Sequence, residues 1–247
     1  MYPSIPRLRT LIALIALLAA GAGFSLLRPD PPVPELHMSG RTMGTTYNVK
    51  YRPTQNAPAL KAMQTEVDAL LAEINHTMST YDPESELSRF NRLRTTDWVP
   101  ASASLRAVLK AALEIGTQSE GAFDITVGPL VNLWGFGPEF HPDRIPLEAD
   151  IAAARRRSGL DKVTLSEAQQ AIRKYRPDVF LDLSGIAKGY GVDRVAELMT
   201  AHGIEHYMVE IGGEIRVRGL KEHDTPWRIA IEKPLSGERS VQTMLAL

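Results

Sequence analysis

The chain has 247 residues, 44% of them hydrophobic and 23% charged, with a net charge of −1. That composition fits one large or two small globular domains and offers no basic surplus for nucleic acid. It holds no cysteine, which excludes disulfides, zinc–thiolate sites, a thiol nucleophile and a lipid-modified N-terminal cysteine.

Residues 1–28 carry Arg7 and Arg9, then an uncharged apolar run over 11–27 with small residues near Ala20. A positive flank before an apolar stretch reads as an export signal, or as an uncleaved anchor with its arginines inside. The expected location is periplasmic, either free or held at the inner membrane by this segment. A Pro-rich linker over 29–37 serves as a stiff spacer, and one domain is expected from 38 to 247. Residues 41–52 read as a first strand, with Thr, Tyr and Val partly alternating with polar residues. Residues 58–78 space Leu60, Met63, Val67, Leu70, Leu71, Ile74 and Met78 along one helical stripe. "STYDPESELSRFN" (79–91) is a polar loop entering a short helical turn, with Ser85 as a capping candidate. A second helix is predicted over 102–119. "EGAFDITVGPLVNLWGFGP" (120–138) breaks periodicity with glycine and proline, leaving a structured loop with room for one short helix.

A helix over 148–158 ends at Gly159, its three arginines forming a solvated face. Residues 162–184 read as strands around polar turns, with Val179, Phe180 and Leu181 as a buried strand. A helix follows over 186–202, then two strands about Gly212-Gly213 within 206–219, then a strand over 227–234. Helices mixed with hairpin-like strands predict an α+β fold with mixed or antiparallel sheets. The histidines show no metal-ligand spacing.

"LDLSGIAKGYGVDR" (181–194) places Asp182 and Ser184 at the end of the apolar run and three glycines across a helix start. A helix start aims free N–H groups and a positive dipole end outward, which suits phosphate. Glycines permit close approach, Lys188 adds a point charge, and main-chain carbonyls can ligate Mg²⁺. The spacing is neither that of a P-loop nor G-x-G-x-x-G. A purely structural alternative stands beside this: Ser184 caps the helix, Asp182 accepts turn hydrogen bonds, and the glycines ease packing.

"TMGTTY" (42–47), "STYDPESELSRFN", "GAFDITVGPLVNLWGFG" (121–137), "LDLSGIAKGYGVDR" and "VEIGGEIRVRG" (209–219) occur in that order. Together they closely resemble the ApbE family, the FAD:protein FMN transferases, over residues 38 to 234. The resemblance implies an exported enzyme that takes FAD as substrate with Mg²⁺. It would transfer the FMN moiety to a Thr or Ser hydroxyl of a target protein and release AMP. Implied targets are membrane redox subunits such as those of Nqr and Rnf complexes. It further implies that Met43 and Tyr81 contact the flavin and that Ala122, Phe123 and Asp124 line the FAD site. Ser184 and Tyr190 would meet the FAD at the glycine-rich turn, and the Ala187 carbonyl would ligate Mg²⁺. Asp182 or Asp124 is the nominated base or a carboxylate supporting it. Family members continue after "AIEKP" with strands that complete the Mg²⁺ site, and the expectation is a C-terminally truncated version. Two outcomes follow: a working transferase, or an exported FAD-binding or interaction protein without catalysis.

Overall fold

A computed structural model describes residues 34–138, 145–234 and 240–247. The leader expected over 1–28, the start of the Pro-rich linker and His141 lie outside the described residues.

The first strand expected over 41–52 is instead a hairpin of β1 (Leu36–Thr42) and β2 (Thr45–Tyr51). Met43 and Gly44 form its turn with φ of 48° and 73°. Two successive positive φ values give the tight turn whose twist matches paired strands, and a methionine in the first position disguises it. The stripe of long apolar residues forms α1 (Leu60–Met78). α2 (Glu86–Arg92) follows, its N-terminus capped by Ser85 Oγ, which accepts the Ser88 N–H at 3.0 Å. After β3 (Val99–Pro100) comes α3 (Ala103–Gln118), capped in the same way by Ser102. The glycine-rich loop contains one short helix, α4 (Gly128–Leu133), and α5 (Glu148–Arg155) ends ahead of Gly159. β4 (Val163–Ser166), β5 (Ala171–Lys174) and α6 (Ala187–Ala201) follow, then β6 (Tyr207–Ile211) and β7 (Glu214–Arg218) about Gly212-Gly213. The described chain closes with β8 (Arg228–Glu232) and β9 (Val241–Ala246).

The strands form a four-stranded sheet in the order β1-β2-β6-β7, a three-stranded sheet β3-β5-β4 and a pair β8-β9, every pairing antiparallel. The fold is α+β, as expected. Alternate residues of β2 and β6 (Tyr47, Val49, Val209, Ile211) face α1 and α6, where Met63, Val67, Val195 and Met199 meet them. Period 2 on the sheet and period 3.6 on the helices thus converge on one core. A second core joins the far end of α1 to α2, α3 and β5 through Ile74, Phe90, Leu105, Val108 and Ile172. Met43 and Leu70 touch both cores.

The buried strand expected at 179–181 is a correction. Val179, Leu181 and Leu183 are buried, yet the segment joins none of the described sheets. Its polar groups are met otherwise. The Asn91 carboxamide donates to Leu181 O and accepts the Leu181 N–H, both at 2.8 Å, and Asp182 N–H donates to Ile125 O at 2.8 Å. Burial without a ladder is stable only when each main-chain group finds such a partner.

Candidate functional site

The end of α1, the β1–β2 turn and the first turn of α6 border a cleft of about 550 Å³. That volume lies within the range of small-molecule sites. Met43, Ile74 and Met78 supply an apolar lining, and Asn75, Ser79 and Thr80 a polar one. Tyr81 stands at the loop that leaves α1, with Ser184, Ala187 and Lys188 on the α6 side.

Ser79 builds the Tyr81 loop. Its hydroxyl accepts the N–H groups of Tyr81 and Asp82, both at 3.0 Å, and its carbonyl accepts from Ser85 and Ser88 hydroxyls at 2.5 and 3.0 Å. The Tyr81 hydroxyl donates to Phe136 O at 2.8 Å. Tyr81 is therefore tied at its backbone and at its tip while 63% of it stays exposed. An aromatic fixed at both ends with a free surface suits stacking on a planar ring.

The three glycines of 181–194 divide by role. A Cβ on Gly185 would come within 3.1 Å of the Phe123 ring, and one on Gly191 within 3.2 Å of Met43 Cε. Those two are packing glycines. A Cβ on Gly189 would meet nothing within 4 Å. Ser184 does not cap α6, contrary to the structural alternative. The cap position is Ile186, with no side-chain hydrogen bond. Ile186 and Ala187 N–H groups donate to Leu183 O, and Tyr190 N–H to Ile186 O. The N–H groups of Lys188 and Gly189 make no hydrogen bond among the described residues. Free donors at a helix start beside open space form an anion-receptive turn. Lys188 Nζ adds a cation, paired with Glu214 Oε1 at 2.9 Å, while Glu214 Oε2 is buried without a partner.

Met43, Tyr81, Ser184 and Ala187 thus meet at one cleft, joined by Lys188. Phe123 does not line the cleft; its ring packs against Gly185. Ala122, Asp124, Asp182 and Tyr190 are not among the cleft-lining residues. Asp182, 8% exposed, accepts the Ser184 N–H at 2.7 Å, which is the turn role foreseen for it. Asp124 Oδ1 accepts the N–H and hydroxyl of Thr126 at 2.7 and 2.6 Å, and Thr126 Oγ1 accepts Gly159 N–H at 2.5 Å. Ala122 is exposed on the same loop, and Tyr190 is half-buried against the second core. Ser79 and Asn91 are the two ends of "STYDPESELSRFN". The short run Ser-Thr-Tyr-Asp signals the Ser79 turn, whereas nothing local signals Asn91.

Among the described residues no group of three or more His, Cys, Asp or Glu side chains could hold a metal ion. Mg²⁺ demands octahedral oxygen coordination, and the Ala187 carbonyl alone does not supply it. Ala187, whose carbonyl is the nominated ligand, lines the cleft.

The fold and cleft define an α+β protein that presents a helix start, a hairpin turn and a tethered aromatic to one nucleotide-sized space. Residues 43–247 match the ApbE family, and the chain belongs to it. It is 48% identical over 216 residues to the FAD:protein FMN transferase of Vibrio cholerae, covering 87% of this chain and 64% of that protein. To the Haemophilus influenzae protein of the same name it is 42% identical over 236 residues, covering 94% of this chain and 68% of that one. The solved flavin transferase ApbE from Vibrio cholerae superposes with a TM-score of 0.81 at 49% identity, over 86% of this chain and 68% of that one. The apo flavinyl transferase ApbE of Pseudomonas stutzeri gives 0.77 at 37% identity, over 83% and 67%.

Proposed function

We propose that this chain is an FAD:protein FMN transferase. The observation that carries the reading is that the ApbE match spans every segment bordering the cleft, and that the cleft joins a tethered aromatic to an anion-receptive helix start. FAD, as substrate, would lay its flavin by Met43 and Tyr81 and its pyrophosphate by Ser184, Lys188 and the free N–H groups. A Thr or Ser hydroxyl of the target attacks the phosphorus nearer the flavin. The new P–O ester bond forms as the pyrophosphate P–O bond breaks, and AMP leaves with the bridging oxygen. The hydroxyl proton passes to a base, for which Asp182 and Asp124 are the candidates. Lys188 and the α6 N–H groups offset charge gathering on the phosphoryl oxygens. Mg²⁺ dependence comes from the family resemblance, with the Ala187 carbonyl as its one nominated ligand.

The proposed targets are flavin-accepting membrane redox subunits of the Nqr or Rnf kind, met on the periplasmic side. Arg7, Arg9 and the apolar run after them support export and attachment to the inner membrane. No helix among the described residues is long and apolar enough to cross a membrane.

Intact mass of a purified acceptor subunit, after incubation with the chain, FAD and Mg²⁺, tests the reading. Gain of one FMN phosphoryl unit, lost when Mg²⁺ is removed, is expected. An unlabelled acceptor, with a full-length family member labelling it in parallel, would overturn the transferase reading. FAD binding without transfer would then mark a binding protein.

A further inference from the structure

Leu181 is the point from which the α6 side of the cleft is hung. It is fully buried and outside the described sheets, and its N–H and C=O are both taken by one side chain, that of Asn91. From there the contacts run without a break toward the cleft. Asp182 N–H is fixed to Ile125 O, Asp182 Oδ1 takes the Ser184 N–H, and Leu183 O takes the N–H groups of Ile186 and Ala187. Ser184, Ala187 and Lys188 line the cleft. A neighbouring strand would hold several residues straight. A single carboxamide clamps one residue and frees the next to turn, which the chain does at Asp182.

The clamp itself is braced. Asn91 is buried at the end of α2, where Lys174 Nζ, 1% exposed, donates to the carbonyls of Phe90, Asn91 and Leu93 at 3.2, 3.4 and 2.7 Å. A cation at the negative end of a helix satisfies carbonyls that have no partner within it. Asn91 therefore leaves α2 from a fixed point.

We propose that Asn91 is a positioning residue for the cleft: its carboxamide, acting through Leu181, sets where Ser184 and the first turn of α6 stand. The functional half of this rests on the reading of the cleft as the FAD site. Asn91→Asp keeps the shape and the acceptor but removes the donor and sets a carboxylate oxygen against Leu181 O.

The test is FAD titration of the full chain, wild type against Asn91→Asp, with thermal unfolding measured alongside. Val108→Ala, in the same core on α3, is the control for destabilisation without loss of the clamp. The expected result is an FAD dissociation constant raised at least tenfold by Asn91→Asp and less than twofold by Val108→Ala. Equal shifts in both variants, or none in Asn91→Asp, would overturn the proposal. Should Asn91→Asp not fold, amide exchange in the wild-type chain decides. Leu181 N–H should exchange as slowly as the N–H groups of β2 and β6, and exchange at the rate of exposed loops would overturn the clamp. A wild-type chain that binds no FAD overturns the flavin reading and the functional half of the proposal, while the exchange result still judges the clamp.

Discussion

Tyr81 shows how far one side chain can be read physically. Its ring is tied at the tip to Phe136 O and at the backbone to Ser79, so little ordering entropy remains to be lost on stacking. Tyr81→Ala should raise the FAD dissociation constant about tenfold, in line with about 0.5–1.5 kcal/mol for an aromatic pair beyond its buried area. Thermal stability should barely move, because the residue is exposed. Fluorescence titration checks this, and an unchanged affinity would remove the ring from the site. The two aspartates can be separated at the same scale. In Asp182→Asn and Asp124→Asn the acceptor oxygen that serves Ser184 or Thr126 is kept and the basicity is lost. The variant lacking the base should transfer FMN about 10²–10⁴-fold more slowly, with its melting temperature nearly unchanged. The other should stay near wild type. If neither slows transfer, both aspartates are turn builders only.

At the level of elements, the loop and helix after α1 act as one piece. Ser85 caps α2 and its hydroxyl also donates to Ser79 O, so it couples helix start to the Tyr81 loop. Ser85→Ala should cost about 1–2 kcal/mol in denaturant unfolding, as for a lost N-cap, and should weaken FAD binding as well. A stability loss with unchanged FAD affinity would show the loop to be independent of the cap. Elements with local causes were legible in the sequence. α1, α3 and α6 follow from apolar periodicity, the Ser85 cap from its polar start, and the β6–β7 hairpin from two glycines. The β1–β2 turn was not legible, since Met43 at positive φ follows no composition rule. Nor was the lone segment at 179–183, because its partner Asn91 lies 90 residues away in sequence. The gathering of Met43, Tyr81, Ser184 and Ala187 at one cleft is equally non-local. It was anticipated from family resemblance, and no spacing rule would have found it.

Across the described residues, buried Lys174 on one side and buried Tyr47 and Tyr51 on the other pull stability in opposite directions at alkaline pH. Burial lowers Lys174 from 10.5 to about 8, with Arg94 adding to the shift and Asp178 opposing it. Between those values the unfolded chain holds a proton that the folded chain has released. Unfolding therefore becomes harder as pH rises from about 8 toward 10.5, by as much as about 3 kcal/mol. Tyr47 works the other way. Burial, with the hydrogen bond to Asp68 and that carboxylate's charge, raises it from 10 to about 12. Above pH 10 the unfolded chain loses this proton first, so the stability Tyr47 contributes is lost as pH climbs through 12. The two windows meet near pH 10, where denaturant unfolding should show maximal stability. In Lys174→Met the rise above pH 8 should vanish while the fall above pH 10 remains, and in Tyr47→Phe the rise should remain while the fall shrinks to what buried Tyr51, also raised by burial, contributes. A rise that survives in Lys174→Met would mean another group releases that proton, and the brace on α2 would then keep its charge throughout the window.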